Sequence, residues 1–284
     1  MEILVGKTAG FCYGVKRAVE GAKKEVKESG KIACLGEIVH NKEVIKDLQK
    51  EGICFVETIK EAKSKVIIRA HGITKEVYEE AKKQQIEIKD YTCPNVLKIH
   101  EIAQEYAKWG YYIFLLGTPN HPENIGTISY CGNHYSVIDK IEEIYIAIKE
   151  LEKSKIKKLL VISQTTYSLE RFYIIEEIIK NELSKDIKIE VKNTICKATE
   201  LRQKETEKLS KQVELMIIIG GKNSSNTKKL YEIAQKNCKQ AICIETKEEL
   251  IGEKLVGINK IGIMAGASTP QESIREVEKF LMEQ

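Results

Sequence analysis

Three of the eight cysteines, Cys12, Cys93 and Cys196, occupy matching places in a threefold internal repeat. Each follows an apolar, strand-like run and opens an amphipathic helix; the runs read EILVGKTAGFC, IEIKDYTC and IKIEVKNTIC. A thiolate at a helix N-terminus is stabilised by the helix dipole, which suits metal binding. Three thiol ligands with a fourth position left open indicate a reactive metal centre rather than a structural one.

The other five cysteines have ordinary structural interpretations. Cys34, Cys54 and Cys243 fall inside apolar strand runs, where a thiol behaves as a small hydrophobic group, and Cys131 and Cys238 lie at the edges of elements. The sequence has no CxxC pair, which argues against a zinc ribbon. It also has no secretion signal and no apolar run approaching the roughly 18 residues of a membrane span. We therefore expect a cytoplasmic protein with reduced thiols.

Polar loops follow the second and fourth strand-like runs of each repeat. Histidines, hydroxyls and amides recur there, and such donors near helix N-termini are what a phosphate or diphosphate needs. The candidate anion ligands are His40, His71, His121, Gln164, Thr165, Ser224, Ser225, Asn226 and Ser268. The remaining histidines, His100 and His134, are interpreted as surface or packing residues.

Glu123 is the single carboxylate in these inner loops. Its ordinary interpretation is a helix cap or a surface acid after Pro122. In a pocket otherwise rich in donors, partial burial would raise the pKa of the carboxyl group and let it donate a proton to a leaving group. The hydroxyl of Thr165 could relay that proton.

The elements that must position these residues alternate between strands and helices of roughly 10–15 residues, which predicts parallel α/β units. Ligands in such sheets collect beyond the carboxyl ends of the strands. We predict three similar α/β units, with mostly parallel sheets, about a pseudo-threefold axis around a central metal site. The predicted units are residues 1–92, 93–193 and 194–284, and the middle one is lengthened by the segment EEIYIAIKELEKSKIKK.

The net charge is +4, but lysine and glutamate alternate along the helix faces, as in KKEVKE. This pattern is typical of a solvated surface. A nucleic-acid site would need a basic stripe with aromatic residues among it, and the sequence shows none. We expect no nucleic acid and no membrane among the partners.

Nine segments in order carry a family resemblance: GFCYGVKRA, GEIVHN, RAHG, TCP, GTPNHPE, SQTT, TIC.AT..RQ, GGKNSSNT and AGASTP. They resemble the 4-hydroxy-3-methylbut-2-enyl diphosphate reductase family (IspH/LytB), and the similarity runs from Cys12 to Pro270. The family often has a different pair of residues where this chain has Pro119 and Asn120. That difference bears on the stiffness of the loop and leaves every candidate side chain in place.

The resemblance implies one [4Fe–4S] cluster per chain, held by Cys12, Cys93 and Cys196, with one open iron. It implies that Glu123, Thr165 and His121 are catalytic, with Gln164 in support, and that the other polar loop residues bind the diphosphate. The reaction would remove the hydroxyl of (E)-4-hydroxy-3-methylbut-2-enyl diphosphate by two-electron reduction, giving isopentenyl and dimethylallyl diphosphate, the last step of the non-mevalonate (MEP/DOXP) isoprenoid pathway. A ferredoxin or flavodoxin would supply the electrons, and a pocket built within one chain is compatible with a monomer.

Two other classes remain open at this point. One is a three-cysteine cluster enzyme such as a quinolinate-synthase-like dehydratase, whose small carboxylate substrate would call for Arg-rich or Lys-rich inner loops. The other is a non-enzymatic iron or redox sensor, which could use the same thiols but has no use for a diphosphate site. A colourless protein that binds one zinc ion would contradict the cluster prediction altogether.

Overall fold

The structure is a computed structural model that describes residues 1–253, 255 and 257–283. Strands and helices alternate along this part of the chain. The strands are β1 Glu2–Val5, β2 Ile32–Leu35, β3 Ile53–Val56, β4 Lys65–Ile68, β5 Glu87–Asp90, β6 Tyr112–Leu116, β7 Tyr135–Ile138, β8 Lys158–Ser163, β9 Lys188–Val191, β10 Leu215–Ile219, β11 Gln240–Ile244 and β12 Lys260–Ala265. The α-helices are α1 Tyr13–Ser29, α2 Lys42–Glu51, α3 Lys75–Lys83, α4 Pro94–Lys108, α5 Pro122–Ile128, α6 Ile144–Ser154, α7 Leu169–Glu182, α8 Lys197–Ser210, α9 Ser225–Asn237 and α10 Gln271–Met282.

The strands form three four-stranded sheets, and every described pairing between them is parallel. The strand orders are β3-β2-β4-β5, β7-β6-β8-β9 and β11-β10-β12-β1. All three sheets therefore share one topology, in which the first strand of the repeat lies between the second and the third. The predicted α/β class with three similar units and parallel sheets is confirmed.

The two central strands of each sheet end side by side. Leu35 pairs with Ile68, Leu116 with Ser163, and Ile219 with Ala265. Because parallel strands point the same way, the loops that follow each pair leave the sheet at the same edge. Residues at equal distances beyond these ends are therefore structurally equivalent in the three sheets.

The first strand of the chain differs from the expectation. We predicted a first unit starting at residue 1, but β1 pairs with β12. The reason lies in the topology: each sheet needs a fourth strand beside its third, and among the described residues after β12 only α10 follows. The N-terminal strand fills that edge position in the sheet of β10, β11 and β12.

The described chain clusters into two compact units. The first consists of residues 1–23, 39–52 and 197–284, and the second of residues 24–38 and 53–196. The first unit contains the sheet of β10, and the second contains the other two sheets. The predicted boundaries at residues 92 and 193 stay a prediction.

Strand burial matches the parallel class. Every residue of β6 and of β10 is buried, as expected for central strands covered on both faces. The predicted insertion in the middle repeat is α6, whose Ile144, Ile148 and Leu151 pack into the apolar core beside β6 and β8. None of the described helices is long and apolar enough to cross a membrane.

Candidate active site

The three cysteines of the repeat are held by the same hydrogen bond. In each case the cysteine N–H donates to the carbonyl of the second residue after the third strand of its sheet. The pairs are Cys12 to Ala267 at 3.1 Å, Cys93 to Ala70 at 2.9 Å and Cys196 to Thr165 at 3.1 Å. Each thiol is free of a disulfide and half-buried, and each precedes a helix. The equivalence inferred from the sequence is therefore a property of the backbone.

Two of the helices show why these positions suit an anionic sulfur. Cys93 is the N-cap of α4, and Pro94 takes the first helical position, where its missing N–H leaves no unpaired donor. Cys196 comes directly before the first residue of α8. Helix N-termini stabilise thiolates, the form in which cysteine binds a metal.

The loop before Cys12 is fastened to α8 by two residues to which the sequence analysis gave no role. Arg202 is buried, and its Nη2 donates to the carbonyl of Gly10 at 2.6 Å. Glu205 accepts the backbone N–H groups of Lys7 and Thr8, both at 2.8 Å. Arg202 belongs to the motif TIC.AT..RQ, but the motif alone did not indicate that its side chain binds the loop before Cys12.

Glu123 is 2% exposed, which excludes the surface-acid interpretation. Its Oε1 accepts the N–H of Thr165 at 2.6 Å, and its Oε2 accepts the hydroxyl of Thr165 at 2.7 Å. Burial raises the pKa of the Glu123 carboxyl to about 7, even though both bonds from Thr165 favour the charged form. The group can therefore carry a proton at neutral pH.

Thr165 joins the acid to a candidate iron ligand. Its N–H and hydroxyl bind Glu123, while its carbonyl accepts the N–H of Cys196. A single residue just after β8 thus binds both the buried acid and the backbone N–H of a cysteine.

His71 and His121 meet edge to face, with ring centroids 5.4 Å apart. His121 caps α5, and its Nδ1 accepts the N–H of Glu123 at 3.2 Å. Because Nδ1 accepts, the proton of the neutral ring is assigned to Nε2, which leaves Nε2 as a donor. The structure brings this predicted pair together beside the predicted acid.

Gln164 comes directly before Thr165 and is 1% exposed. Its Oε1 accepts from the N–H of Thr118 at 3.2 Å, and its Nε2 donates to the Thr166 hydroxyl at 2.8 Å. Gln164 therefore supports the loops around the acid. Its other partner, Asn124, was missed by the sequence analysis, although it directly follows the motif GTPNHPE.

In the first compact unit, the loop of His40 lies against the ends of β10 and β12. The hydroxyl of Ser268 donates to the His40 carbonyl at 3.3 Å. Gly221 approaches the same carbonyl so closely that an added Cβ would lie 2.2 Å from its oxygen. Asn41 then caps α2, accepting from the N–H groups of Glu43 and Val44. Two predicted anion ligands, His40 and Ser268, are thus neighbours.

The start of α9 holds the remaining predicted anion ligands. Ser224 is the N-cap and accepts the N–H of Thr227 at 3.3 Å, and Ser225 is the first helical residue. Asn226 is 2% exposed, yet both atoms of its side-chain amide lack a hydrogen-bond partner among the described residues. A buried amide left unpaired costs stability, and the Nδ2 of this one remains able to donate to an acceptor oxygen at the helix N-terminus.

The predictions for residues outside the site have mixed outcomes. Cys34 and Cys131 are buried, and burial raises the pKa of each thiol to about 12, so both are inert. Cys54, predicted as a core thiol, is exposed because it lies on edge strand β3. His100 is a packing residue, 3% exposed and stacked on Tyr130 at 4.5 Å. His134 is exposed.

Comparison with known proteins decides the family. The family described as LytB protein matches residues 3–282. The chain belongs to the LytB family. The resemblance inferred from the nine motifs is therefore confirmed.

Individual relatives agree with this assignment. The 4-hydroxy-3-methylbut-2-enyl diphosphate reductase of Thermoanaerobacter sp. (strain X514) is 43% identical over 98% of this chain and 96% of its own length. The enzyme of the same name from Aquifex aeolicus is 40% identical over 100% and 96%, respectively.

Two solved structures are similar over almost the whole chain. One is (E)-4-hydroxy-3-methyl-but-2-enyl diphosphate reductase, described as the terminal enzyme of the non-mevalonate pathway, with a TM-score of 0.70, 38% identity and complete coverage of both chains. The other is the E-1-hydroxy-2-methyl-but-2-enyl-4-diphosphate reductase of Plasmodium falciparum, with a TM-score of 0.88 and 33% identity over 99% of this chain and 87% of that one.

Proposed function

We propose that this LytB-family chain reductively removes the hydroxyl group of (E)-4-hydroxy-3-methylbut-2-enyl diphosphate, as the last step of the non-mevalonate isoprenoid pathway. The reaction consumes two electrons and two protons, breaks the allylic C–O bond and releases water. Its products are isopentenyl and dimethylallyl diphosphate, because the allylic fragment can take its proton at either end. Near-complete coverage of relatives that carry this activity supports the assignment.

One observation carries the mechanism: the buried acid Glu123 is bound by Thr165, whose carbonyl in turn holds Cys196. Hydroxide is a poor leaving group, so breaking the C–O bond requires a proton on the departing oxygen. Glu123 supplies that proton, with Thr165 as the relay. His121 holds Glu123 through its backbone N–H and directs its Nε2 to the substrate.

Cys12, Cys93 and Cys196 are the ligands for a [4Fe–4S] cluster. The donor set fits: three equivalent half-buried thiols precede helices, and the remaining thiols include two whose pKa is raised by burial. When bound, such a cluster supplies the electrons and an open iron that acts as a Lewis acid on the substrate oxygen.

The diphosphate is bound by the polar loops. His40, Ser224, Ser225, Asn226 and Ser268 bind it from the first compact unit. The unpaired amide of Asn226 gains acceptors when the ligand arrives. His71 belongs to the same proposed set of donors, and Gln164, whose amide is engaged by Thr118, Asn124 and Thr166, supports the loops around the acid. Energy from these remote contacts positions the reacting hydroxyl. The same donor-rich loops argue against a carboxylate-binding dehydratase and against a sensor that has no small-molecule substrate.

The partners follow from the reaction. A ferredoxin or flavodoxin supplies the two electrons, the enzyme works as a monomer, and it acts in the cytoplasm, where its eight cysteines, none of them in a disulfide, stay reduced.

The proposal is tested by anaerobic purification, an iron and sulfide assay with visible and spin-resonance spectra, and turnover of the hydroxylated diphosphate with a strong artificial reductant. Cys93→Ser and Cys196→Ser should lose iron and turnover. The matched control is Cys54→Ser, which changes an exposed thiol and should keep both. A colourless enzyme, or equal iron in all three variants, would refute the ligand assignment.

A further inference from the structure

Asn124 links two strand-end loops next to the acid. It follows Glu123 in α5 and is fully buried. Its Nδ2 donates to the carbonyl of Thr118, in the loop after β6, at 2.8 Å. The same nitrogen donates to Oε1 of Gln164, in the loop after β8, at 2.9 Å. One side chain therefore ties together the two loops that surround the carboxyl group.

The side-chain amide of Gln164 connects Asn124 to the backbone of Thr118 and to the side chain of Thr166. Its Oε1 accepts from Asn124 and from the N–H of Thr118, and its Nε2 donates to the hydroxyl of Thr166. The orientation of Asn124 is determined by the same partners, because a flipped amide would set its oxygen against two acceptors. Thr165 lies between Gln164 and Thr166, so the residues on both sides of it are held.

Two consecutive residues of α5, Glu123 and Asn124, thus form hydrogen bonds with two consecutive residues after β8, Thr165 and Gln164. Glu123 accepts the N–H and hydroxyl of Thr165, while Asn124 binds Gln164. Gly117 leaves the space for this arrangement, since an added Cβ would lie 2.4 Å from Asn124 Nδ2 and 2.9 Å from Gln164 Oε1. The distance between α5 and the loop after β8 is therefore fixed by hydrogen bonds at two pairs of residues, Glu123 with Thr165 and Asn124 with Gln164.

The third sheet provides an internal comparison. Thr227 lies eight positions after the end of β10, as Asn124 does after β6, and it is likewise fully buried. It packs against Gly220 as Asn124 packs against Gly117. However, the position equivalent to Gln164 is Gly266, which offers no side chain, so no amide pair forms there. Of these two sheets, only the one that carries the acid has the amide pair.

We infer that Asn124 is a positioning residue for the reaction, which through Gln164 and Thr118 holds Thr165 against the carboxyl group of Glu123. The inference rests on the proposed function, in which Glu123 donates the proton. Small misplacements of a catalytic group are costly, about 100-fold for roughly 1 Å, so a residue that touches no substrate can still control the rate.

The test uses the iron-loaded enzyme, the hydroxylated diphosphate and a viologen radical as reductant, with Asn124→Leu as the main variant. We expect kcat to fall about 10- to 100-fold while KM changes less than about threefold, because alignment is lost and diphosphate contacts are kept. We also expect the alkaline fall of kcat to move to higher pH, because the Thr165 bonds that lower the pKa of Glu123 are weakened.

Two further variants make the result specific. Asn124→Asp keeps the size of the side chain, and its neutral form can donate one hydrogen bond, so its activity should exceed that of Asn124→Leu at low pH. Thr227→Val changes the equivalent position of the third sheet, whose hydroxyl has no hydrogen-bond partner among the described residues, and should leave kcat and its pH profile unchanged.

The inference is overturned if Asn124→Leu keeps the wild-type kcat and pH profile, or if its loss of rate only follows a loss of iron or of folded enzyme. Glu123→Gln, assayed alongside, separates this outcome from a failure of the proposed function. If Glu123→Gln turns over normally, the proton-donor assignment itself is wrong. If it is inactive while Asn124→Leu is normal, only the positioning role is wrong.

Discussion

The protonation of Glu123 should set the pH dependence of turnover, and Glu123→Gln should remove it. A carboxyl group with the ordinary pKa of 4.5 would be protonated in only about 0.3% of molecules at pH 7. With the pKa raised to about 7, about half of the molecules hold the proton. Burial therefore increases the population of the competent acid roughly 150-fold at neutral pH.

The sign follows from the proton's role. The acid is active when protonated, so kcat should be level below pH 6 and fall about tenfold per pH unit well above pH 7. Glu123→Gln should lower kcat by about 100-fold or more, the usual contribution of a positioned general acid. Gln can still accept the N–H of Thr165 and meet its hydroxyl, so KM and iron content should stay close to those of the wild type.

The assay is kcat against pH between 5.5 and 9 under anaerobic conditions, with a viologen radical, whose oxidation releases no proton. A single-turnover measurement accompanies it, so that slow product release does not hide the chemical step. A flat wild-type profile across pH 7, or a Glu123→Gln enzyme with the same profile as the wild type, would refute the reasoning.

Three further predictions rest on buried polar groups. Asn226→Ala should raise KM for the diphosphate by about tenfold or more, because a hydrogen bond to a charged group is lost. The unfolding free energy of the unliganded enzyme should rise by about 1 kcal/mol, because an unpaired buried amide disappears. Steady-state kinetics and denaturant titration measure the two effects, and a lower KM would contradict the binding role of Asn226. Burial lowers the pKa of the His100 imidazole from 6.5 to about 4, so the neutral ring contributes fully to the unfolding free energy above pH 6.5. As the pH falls to 4, the unfolded chain takes up a proton more readily than the folded one, and about 3 kcal/mol of unfolding free energy is lost. His100→Leu should flatten that part of the plot of unfolding free energy against pH, and an unchanged slope would exclude His100 as its source. Gly117→Ala should lower kcat about tenfold or more with KM nearly unchanged, because the added methyl group displaces Asn124 and Gln164. Gly110→Ala, whose Cβ would meet no atom within 4 Å but which is strained by a φ of +76°, is the control for a substitution that costs stability away from the site, and it should keep the wild-type kcat.

Much of this architecture could be predicted from the sequence, because the relevant signals are local and repeated. The alternation of strand-like runs and helices predicted the three parallel sheets, and the recurrence of Cys12, Cys93 and Cys196 predicted an equivalence that appears as one repeated hydrogen bond. Loops that end adjacent parallel strands must leave the same sheet edge, so the neighbourhood of Glu123, after β6, and Thr165, after β8, follows from topology. The contact between His71 and His121 joins loops of two different sheets, and the strand order does not predict it.

The failures involve information that is not local. The placement of β1 beside β12 depends on contacts between the two ends of the chain, which strand propensity does not encode. Cys54 was expected in the core because its run is apolar, but an edge strand leaves one side open. Asn124 and Arg202 were overlooked because each binds a partner far along the chain, Gln164 for Asn124 and the carbonyl of Gly10 for Arg202, and no spacing rule reveals such partners.

The equivalent positions also suggest how two copies of one repeated fold came to carry different chemical groups. The fifth residue after the first strand of each sheet is His40, His121 or Ser224, and the third residue after the third strand is His71, Thr166 or Ser268. The backbone therefore positions three similar sets of polar side chains. The second and third sheets differ two positions beyond the N-caps of α5 and α9. At this position the second sheet has Glu123, which is bound by the hydroxyl of Thr165. The third sheet has Asn226, and the residue equivalent to Thr165 is Ala267, which has no hydroxyl. In the function proposed above, the acid at the first place supplies a proton, and the amide at the second leaves its hydrogen-bonding capacity for an anion. Exchanging these two residues, as Glu123→Asn with Asn226→Glu, should abolish turnover and weaken diphosphate binding together, because the carboxylate would then stand where phosphate oxygens must bind. Retention of diphosphate affinity in the exchanged enzyme would show that the repeats are not divided in this way.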